Sequence, residues 1–133
     1  MRSLLFLCVA NSARSQMAEG IARSLAPDGL GVFSAGSQPS LINPLAVRAL
    51  AEIGVDAAAQ RSKGLDAIPV AEIDTVVTLC AEEVCPVFPG RVTRHHWPLP
   101  DPAAATGDEQ ARLAAFRSVR EELRRRIVEL LRA

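Results

Sequence analysis

The sequence predicts one α/β domain over residues 1–133, a four-stranded parallel sheet flanked by helices. Three observations lead there. Short apolar or β-branched runs alternate with stretches of helical periodicity, the pattern of β-α-β crossovers. A length of 133 residues suits a single domain with a substantial core. Hydrophobic residues make up 49% and charged residues 23%, the balance of a compact chain rather than a disordered one.

Taken in order, residues 3–9 read as a strand buried on both faces, because the run is apolar without alternation and a polar loop follows it. Met17, Ile21 and Leu25 then recur every four residues until Pro27-Asp-Gly29 stops the pattern, which predicts a helix over 15–25. Gly31-Val-Phe-Ser34 predicts a short second strand, ended by Ala35-Gly36. Asn43 reads as a helix N-cap with Pro44 at the first helical position. Leu45, Val47, Leu50 and Ile53 give that helix an apolar side, and Gly54 ends it. The clearest strand is Asp74–Cys80, and 91–97 is a weaker fourth. Past the proline-rich stretch 98–102, a long helix runs over roughly 108–131, with Leu113, Phe116, Leu123, Ile127 and Leu130 facing in. Its Arg124-Arg125-Arg126 run reads as a solvated face, since Glu121 and Glu122 lie four residues ahead of Arg125 and Arg126. Four such strands make a small flavodoxin-like sheet, with its ligand expected at the carboxyl ends of the strands near the switch point. Cys8 and Cys80 fall at those ends.

Composition narrows the function. Fifteen basic and 15 acidic side chains cancel, so the electrostatic footprint of a nucleic-acid binder is missing. No apolar run approaches the ~20 residues of a membrane span. The N-terminal run is too short, and too soon followed by Asn11-Ser12, for a signal peptide. The expectation is a cytoplasmic monomer. There, three cysteines (an odd count) read as reactive thiols rather than as a disulfide framework.

Cys8-Val-Ala-Asn-Ser-Ala-Arg-Ser15 joins the first strand to the first helix. Five residues between Cys8 and Arg14 suffice to wrap a tetrahedral anion. Backbone N–H groups of Asn11, Ser12, Ala13, Arg14 and Ser15 would line the wrap, and the helix start adds its positive partial charge. Arg14 offers two parallel donors in a geometry no lysine matches. The same donors stabilise a thiolate at Cys8, and Ser15 can donate to its sulfur. Asn11, in mid-loop, tolerates a left-handed backbone and can hold the loop through its amide. Cys80 and Cys85 lie just past a strand whose end should adjoin Cys8. Positions five apart on a regular helix have Cα atoms about 8.6 Å apart, and a disulfide tolerates only up to ~7 Å. Cys80 and Cys85 can therefore pair only if the segment between them is a loop or unwinds. His95 and His96 have no metal-ligand spacing around them and read as structural, with no metal expected.

Leu5-Phe-Leu-Cys-Val-Ala-Asn-Ser-Ala-Arg-Ser-Gln-Met-Ala-Glu19 resembles the low-molecular-weight protein tyrosine phosphatase superfamily, and within it the thioredoxin-coupled arsenate reductases. The resemblance continues through Val32–Gly36, Asn43-Pro44, Val76–Cys80, Cys85-Pro86, His96-Trp97, Asp101-Pro102 and Phe116–Leu123. It implies that Cys8 attacks arsenate, that Cys80 attacks Cys8 and releases arsenite, and that Cys85 then takes over the disulfide for thioredoxin to reduce. It implies Arg14 as oxyanion binder and Asp101 as general acid, although Asp101-Pro102 alone could be a plain turn. No tightly bound cofactor is implied; phosphate or sulfate would act as analogues of arsenate. Three departures stand out. Ala13 replaces a second loop cysteine common in the phosphatases, Ala103 stands where they usually carry an aromatic residue, and the Cys80–Cys85 spacing is shorter than the six intervening residues common in the reductases. Some relatives bind potassium beside the loop. Asn11, Glu19 and Ser34 match its ligands, but Lys63 matches the remaining aspartate, which suggests that the lysine supplies the positive charge and pairs with Glu19. The loop by itself would equally serve a phosphomonoester phosphatase using Cys8 and Asp101, or a non-catalytic oxyanion or thiol sensor.

Overall fold

The computed structural model describes residues 1–81 and 84–132. Its regular elements are β1 (Ser3–Cys8), α1 (Arg14–Leu25), β2 (Gly31–Gly36), α2 (Pro44–Ala51), β3 (Thr75–Thr78), β4 (Thr93–His96) and α3 (Glu109–Arg132). The four strands form one parallel sheet in the order β2-β1-β3-β4. β1 therefore has neighbours on both sides and is apolar and buried from Leu4 to Cys8. Leu4 and Phe6 point into one core, Leu5 and Leu7 into the other, and all four are fully buried. Each such side chain contributes roughly 1.5–3 kcal/mol.

The two faces are covered differently. All three α-helices pack on the Leu4–Phe6 face, through Met17, Ile21, Leu50, Leu113, Phe116 and Leu123. The opposite face is closed by short 3-10 turns at Leu65–Ala67 and Val70–Glu72 and by the ring of Phe88. The connection from β3 to β4 thus differs from the usual helical crossover of a parallel pair. Among its described residues there is no helix at all.

Several predicted details shift. Leu25 ends its stripe 45% exposed, and Val47 faces solvent at 37%, while Ala46 and Ala49 fill the buried positions of α2 beside Leu50. The reason is that α2 packs closely on α1 and α3, which leaves room for alanine and pushes the larger Val47 outward. Ile53 lies beyond the helix end and packs as a partly buried residue, before Gly54 turns the chain at a φ of +78°. Asn43 caps α2 as expected, accepting from the Leu45 N–H at 2.9 Å. The fourth strand is shorter than 91–97, because only Thr93–His96 has β3 beside it. On α3 the arginines are paired at the surface: Glu122 accepts from Arg125 and Arg126, and Glu121 lies nearer Arg120 and Arg124 than the predicted Arg125. Leu130 is only partly buried. None of the helices is long and apolar enough to cross a membrane, among the described residues.

Candidate active site

The order β2-β1-β3-β4 makes the gap between β1 and β3 the switch point, and both strands end there in cysteine-bearing segments. Leu7 is in register with Thr78, and the Leu79 N–H donates to the Leu7 carbonyl at 3.0 Å. The sequence thereby delivers Cys8 and Cys80 to neighbouring strand ends from seventy residues apart. Both are buried, with Cys8 3% and Cys80 1% exposed.

The loop after Cys8 is held open by its own side chains. Asn11 is fully buried and has a φ of +48°, the left-handed backbone that asparagine tolerates better than most residues. Its amide nitrogen donates to the hydroxyls of Ser15 (2.7 Å) and Ser34 (3.0 Å). Its amide oxygen accepts from the Lys63 backbone N–H and from Gln16, each at 2.9 Å. With both hydrogens and both lone pairs engaged, the amide has one orientation. Ser15 Oγ sits 2.8 Å from Cys8 Sγ. Either group could donate across that contact while Cys8 is a thiol; once Cys8 is a thiolate only the hydroxyl has a hydrogen to give, and it then stabilises the negative charge. Ala13, at the start of α1, supplies no side-chain cap, and the helix N-terminus adds its positive partial charge to the loop.

Arg14 is 5% exposed. Its Nη1 donates to the Leu99 carbonyl at 3.0 Å and, more weakly, to that of Leu79 at 3.4 Å. Leu79 precedes Cys80, and Leu99 lies two residues before Asp101. One guanidinium therefore ties the loop to the segments that carry the second cysteine and the carboxylate. Asp101 itself is exposed and caps a 3-10 turn at Pro102–Ala104, its Oδ1 accepting from the Ala103 N–H at 3.0 Å. Ser12 and Ala13 act through the backbone, the Ser12 carbonyl accepting from the Asn43 N–H at 3.0 Å.

Cys80 and Cys85 are joined by a disulfide with Cα atoms 5.5 Å apart, and Cys8 is a free thiol. The described residues around the pair are irregular, and positions 82 and 83, on which the expected loop also falls, lie outside the described residues.

Behind the loop, Lys63 Nζ donates to Glu19 Oε1 at 3.1 Å and to Ser34 Oγ at 3.3 Å. Ser34 in turn donates to Glu19, and Arg23 approaches the other carboxylate oxygen at 3.3 Å. Asn11, Glu19, Ser34 and Lys63 are thus brought together, with an ammonium at the centre of the oxygen set. Ser34 is fully engaged, and Glu19 carries two basic partners already. Among the described residues no group of three or more histidine, cysteine and carboxylate side chains is assembled to hold a metal. His96 accepts or donates at Thr78 Oγ1 (2.7 Å), and His95 packs near Trp97, both consistent with structural roles.

Two supporting residues carried no signal of their own in the sequence. Gln16 is fully buried and ties Asn11 to the Arg61 carbonyl. Gly36 lies so close to the loop that a Cβ would stand 2.9 Å from the Asn11 nitrogen and 3.0 Å from the Cys8 oxygen, besides clashing with the Val9 oxygen.

The family described as low molecular weight phosphotyrosine protein phosphatase matches residues 3–133. An arsenate reductase of Halalkalibacterium halodurans is 44% identical over 126 residues, covering 93% of this chain and 91% of that protein. The crystal structure of an arsenate reductase from Archaeoglobus fulgidus superposes with a TM-score of 0.83 at 28% identity, over 98% of this chain and 99% of that one. A thioredoxin-dependent arsenate reductase of Corynebacterium glutamicum superposes with a TM-score of 0.75 at 31% identity, over 99% of this chain and 61% of that longer one.

Proposed function

This chain belongs to the low molecular weight phosphotyrosine protein phosphatase family, and we propose that within it the protein reduces arsenate to arsenite, with thioredoxin as electron donor. One observation carries the reading: a disulfide between Cys80 and Cys85 stands beside a free Cys8 at the base of an oxyanion loop. A phosphatase needs only the nucleophile, because water resolves its phosphocysteine. Thiols that can pair belong to a reaction that moves two electrons.

The Cys8 thiolate attacks arsenic, an As–S bond forms, and one oxygen leaves as water with a proton from Asp101. Arg14 and the loop N–H groups hold the remaining oxygens and the charge that develops on them. The Cys80 thiolate then attacks the Cys8 sulfur. An S–S bond forms, the As–S bond breaks, and its electron pair stays on arsenic, which departs as arsenite. The Cys85 thiolate attacks the Cys80 sulfur and expels Cys8 as a thiolate, ready for another arsenate. Two electrons from a dithiol, here thioredoxin, return Cys80 and Cys85 to thiols. This cycle suits the cytoplasm, where such dithiols are kept reduced.

Lys63 serves in this reading as a built-in cation for the loop. Its ammonium meets Glu19 and Ser34, so no step calls for potassium.

The test is arsenite release with thioredoxin, thioredoxin reductase and NADPH, beside hydrolysis of an aryl phosphate. Sustained arsenite release supports the reading. Phosphate ester hydrolysis without arsenite release would make the protein a phosphatase, and oxyanion binding with neither activity would make it a sensor.

A further inference from the structure

We propose that Arg94, on the edge strand β4, is a positioning residue for the cysteine exchange. The segment that carries Cys85 is held at both ends. On one side, Cys80 follows Leu79, whose N–H is bonded to Leu7 and whose carbonyl accepts from the Leu99 N–H at 3.2 Å. On the other side, the ring of Phe88 is 2% exposed and sits in the core with Leu5, Leu7, Ile73 and Val76. Arg94 completes that second anchor. The two hydrogens of its Nη2 go to the carbonyls of Phe88 (2.8 Å) and Gly90 (2.9 Å). Gly90 turns the chain there, with a φ of +96°.

Val84 and Val87 are 91% and 83% exposed, and Cys85 is half-buried between them. Pro86 and Val87 alone separate Cys85 from Phe88, a leash of three residue steps and about 10–11 Å at full extension. The anchor at Phe88 therefore limits how far the Cys85 sulfur can drift from Cys80.

The exchange that uses this constraint conserves atoms and electrons. The Cys85 thiolate attacks the Cys80 sulfur, the Cys80–Cys85 bond forms, the Cys8–Cys80 bond breaks, and Cys8 leaves as thiolate. In the disulfide state the covalent bond itself fixes the loop. In the dithiol state that bond is gone and the anchors at Leu79 and Phe88 still restrain it. Releasing Arg94 thus adds freedom chiefly to the dithiol, and the disulfide becomes less favoured.

The inference rests on the reading of Cys80 and Cys85 as exchange partners, and its test does not require arsenate. The full-length protein is equilibrated with mixtures of oxidised and reduced dithiothreitol, in which the two thiols lose two electrons to the oxidised reagent and form the disulfide. The disulfide fraction is read by alkylation and mass. For Arg94→Gln the equilibrium constant for disulfide formation should fall about tenfold, which places the potential about 30 mV more positive. Arg94→Lys, which keeps a donor at the carbonyls, should fall between the two. Phosphate binding at the Cys8 loop should not change in either variant. A wild-type constant in Arg94→Gln would overturn the proposal. So would a parallel loss of phosphate binding, which would mark a general loosening. A wild-type protein that forms no Cys80–Cys85 disulfide at any ratio would overturn the functional reading instead.

Discussion

The Ser15 hydroxyl oxygen lies 2.8 Å from the sulfur of Cys8, and both groups are buried. Asn11 occupies one lone pair of that hydroxyl, and toward a Cys8 thiolate, which has no hydrogen, the hydroxyl can only donate. Ser15→Ala removes a hydrogen bond to a charged group, worth about 1.5–3 kcal/mol. The expected result is a loss of about 10–100-fold in the rate of arsenate-dependent turnover, from the same energies. Stopped-flow measurement of the first turnover checks it, and an unchanged rate would remove Ser15 from the mechanism.

Asn11→Ala should be among the most damaging substitutions outside the cysteines. It strands the Lys63 backbone N–H and Gln16, and it keeps a side chain at a φ of +48° without the amide that compensates for it. The expected loss is about 2–4 kcal/mol. Urea unfolding of the reduced protein measures it, and a loss under ~0.5 kcal/mol would contradict the network.

Lys63→Ala leaves Glu19, its side chain 3% exposed, with Arg23 as its one remaining basic partner beside the Ser34 hydroxyl. Stability should drop by about 2 kcal/mol, less than for a fully isolated buried pair because Arg23 remains. Turnover of the wild type should be the same in potassium and sodium salts, while the variant should gain from potassium. A wild type clearly activated by potassium but not sodium would end the built-in-cation reading.

The contact between α2 and α3 should respond to acid. Hydrogen bonding from Arg117, joined by Arg120, outweighs desolvation and pulls the Glu52 carboxyl down to about 2. A carboxyl depressed in the folded state stabilises the fold above its ordinary range, and that contribution is lost as pH falls toward about 2. The wild type and Glu52→Gln should therefore differ in thermal midpoint at neutral pH and converge between about 4.5 and about 2. Curves that stay parallel throughout would contradict the linkage.

Much of this was legible before any coordinates, for local reasons. An apolar run with no alternation must be buried on both faces, and the residues from Cys8 to Ser15 carry their chemistry within one loop. The left-handed Asn11 and the Asn43 cap follow from short-range geometry. The rest depends on segments that meet only in the folded chain. Arg14 bonds to carbonyls, which any residue could supply at 79 and 99. Gly36 is required by the loop it touches, not by its own strand. Val47 faces out because of what packs on α2, and Arg94 reads as an ordinary edge-strand cation until its partners at Phe88 and Gly90 are seen.

The most direct test of the relay is the arsenite released by Cys85→Ser in a single incubation with arsenate, after reduction and removal of reductant. The relay predicts one equivalent of arsenite per chain and a trapped Cys8–Cys80 disulfide, with no further turnover when thioredoxin, its reductase and NADPH are added. Continued release in that coupled system, or release with no Cys8–Cys80 bond, would contradict it.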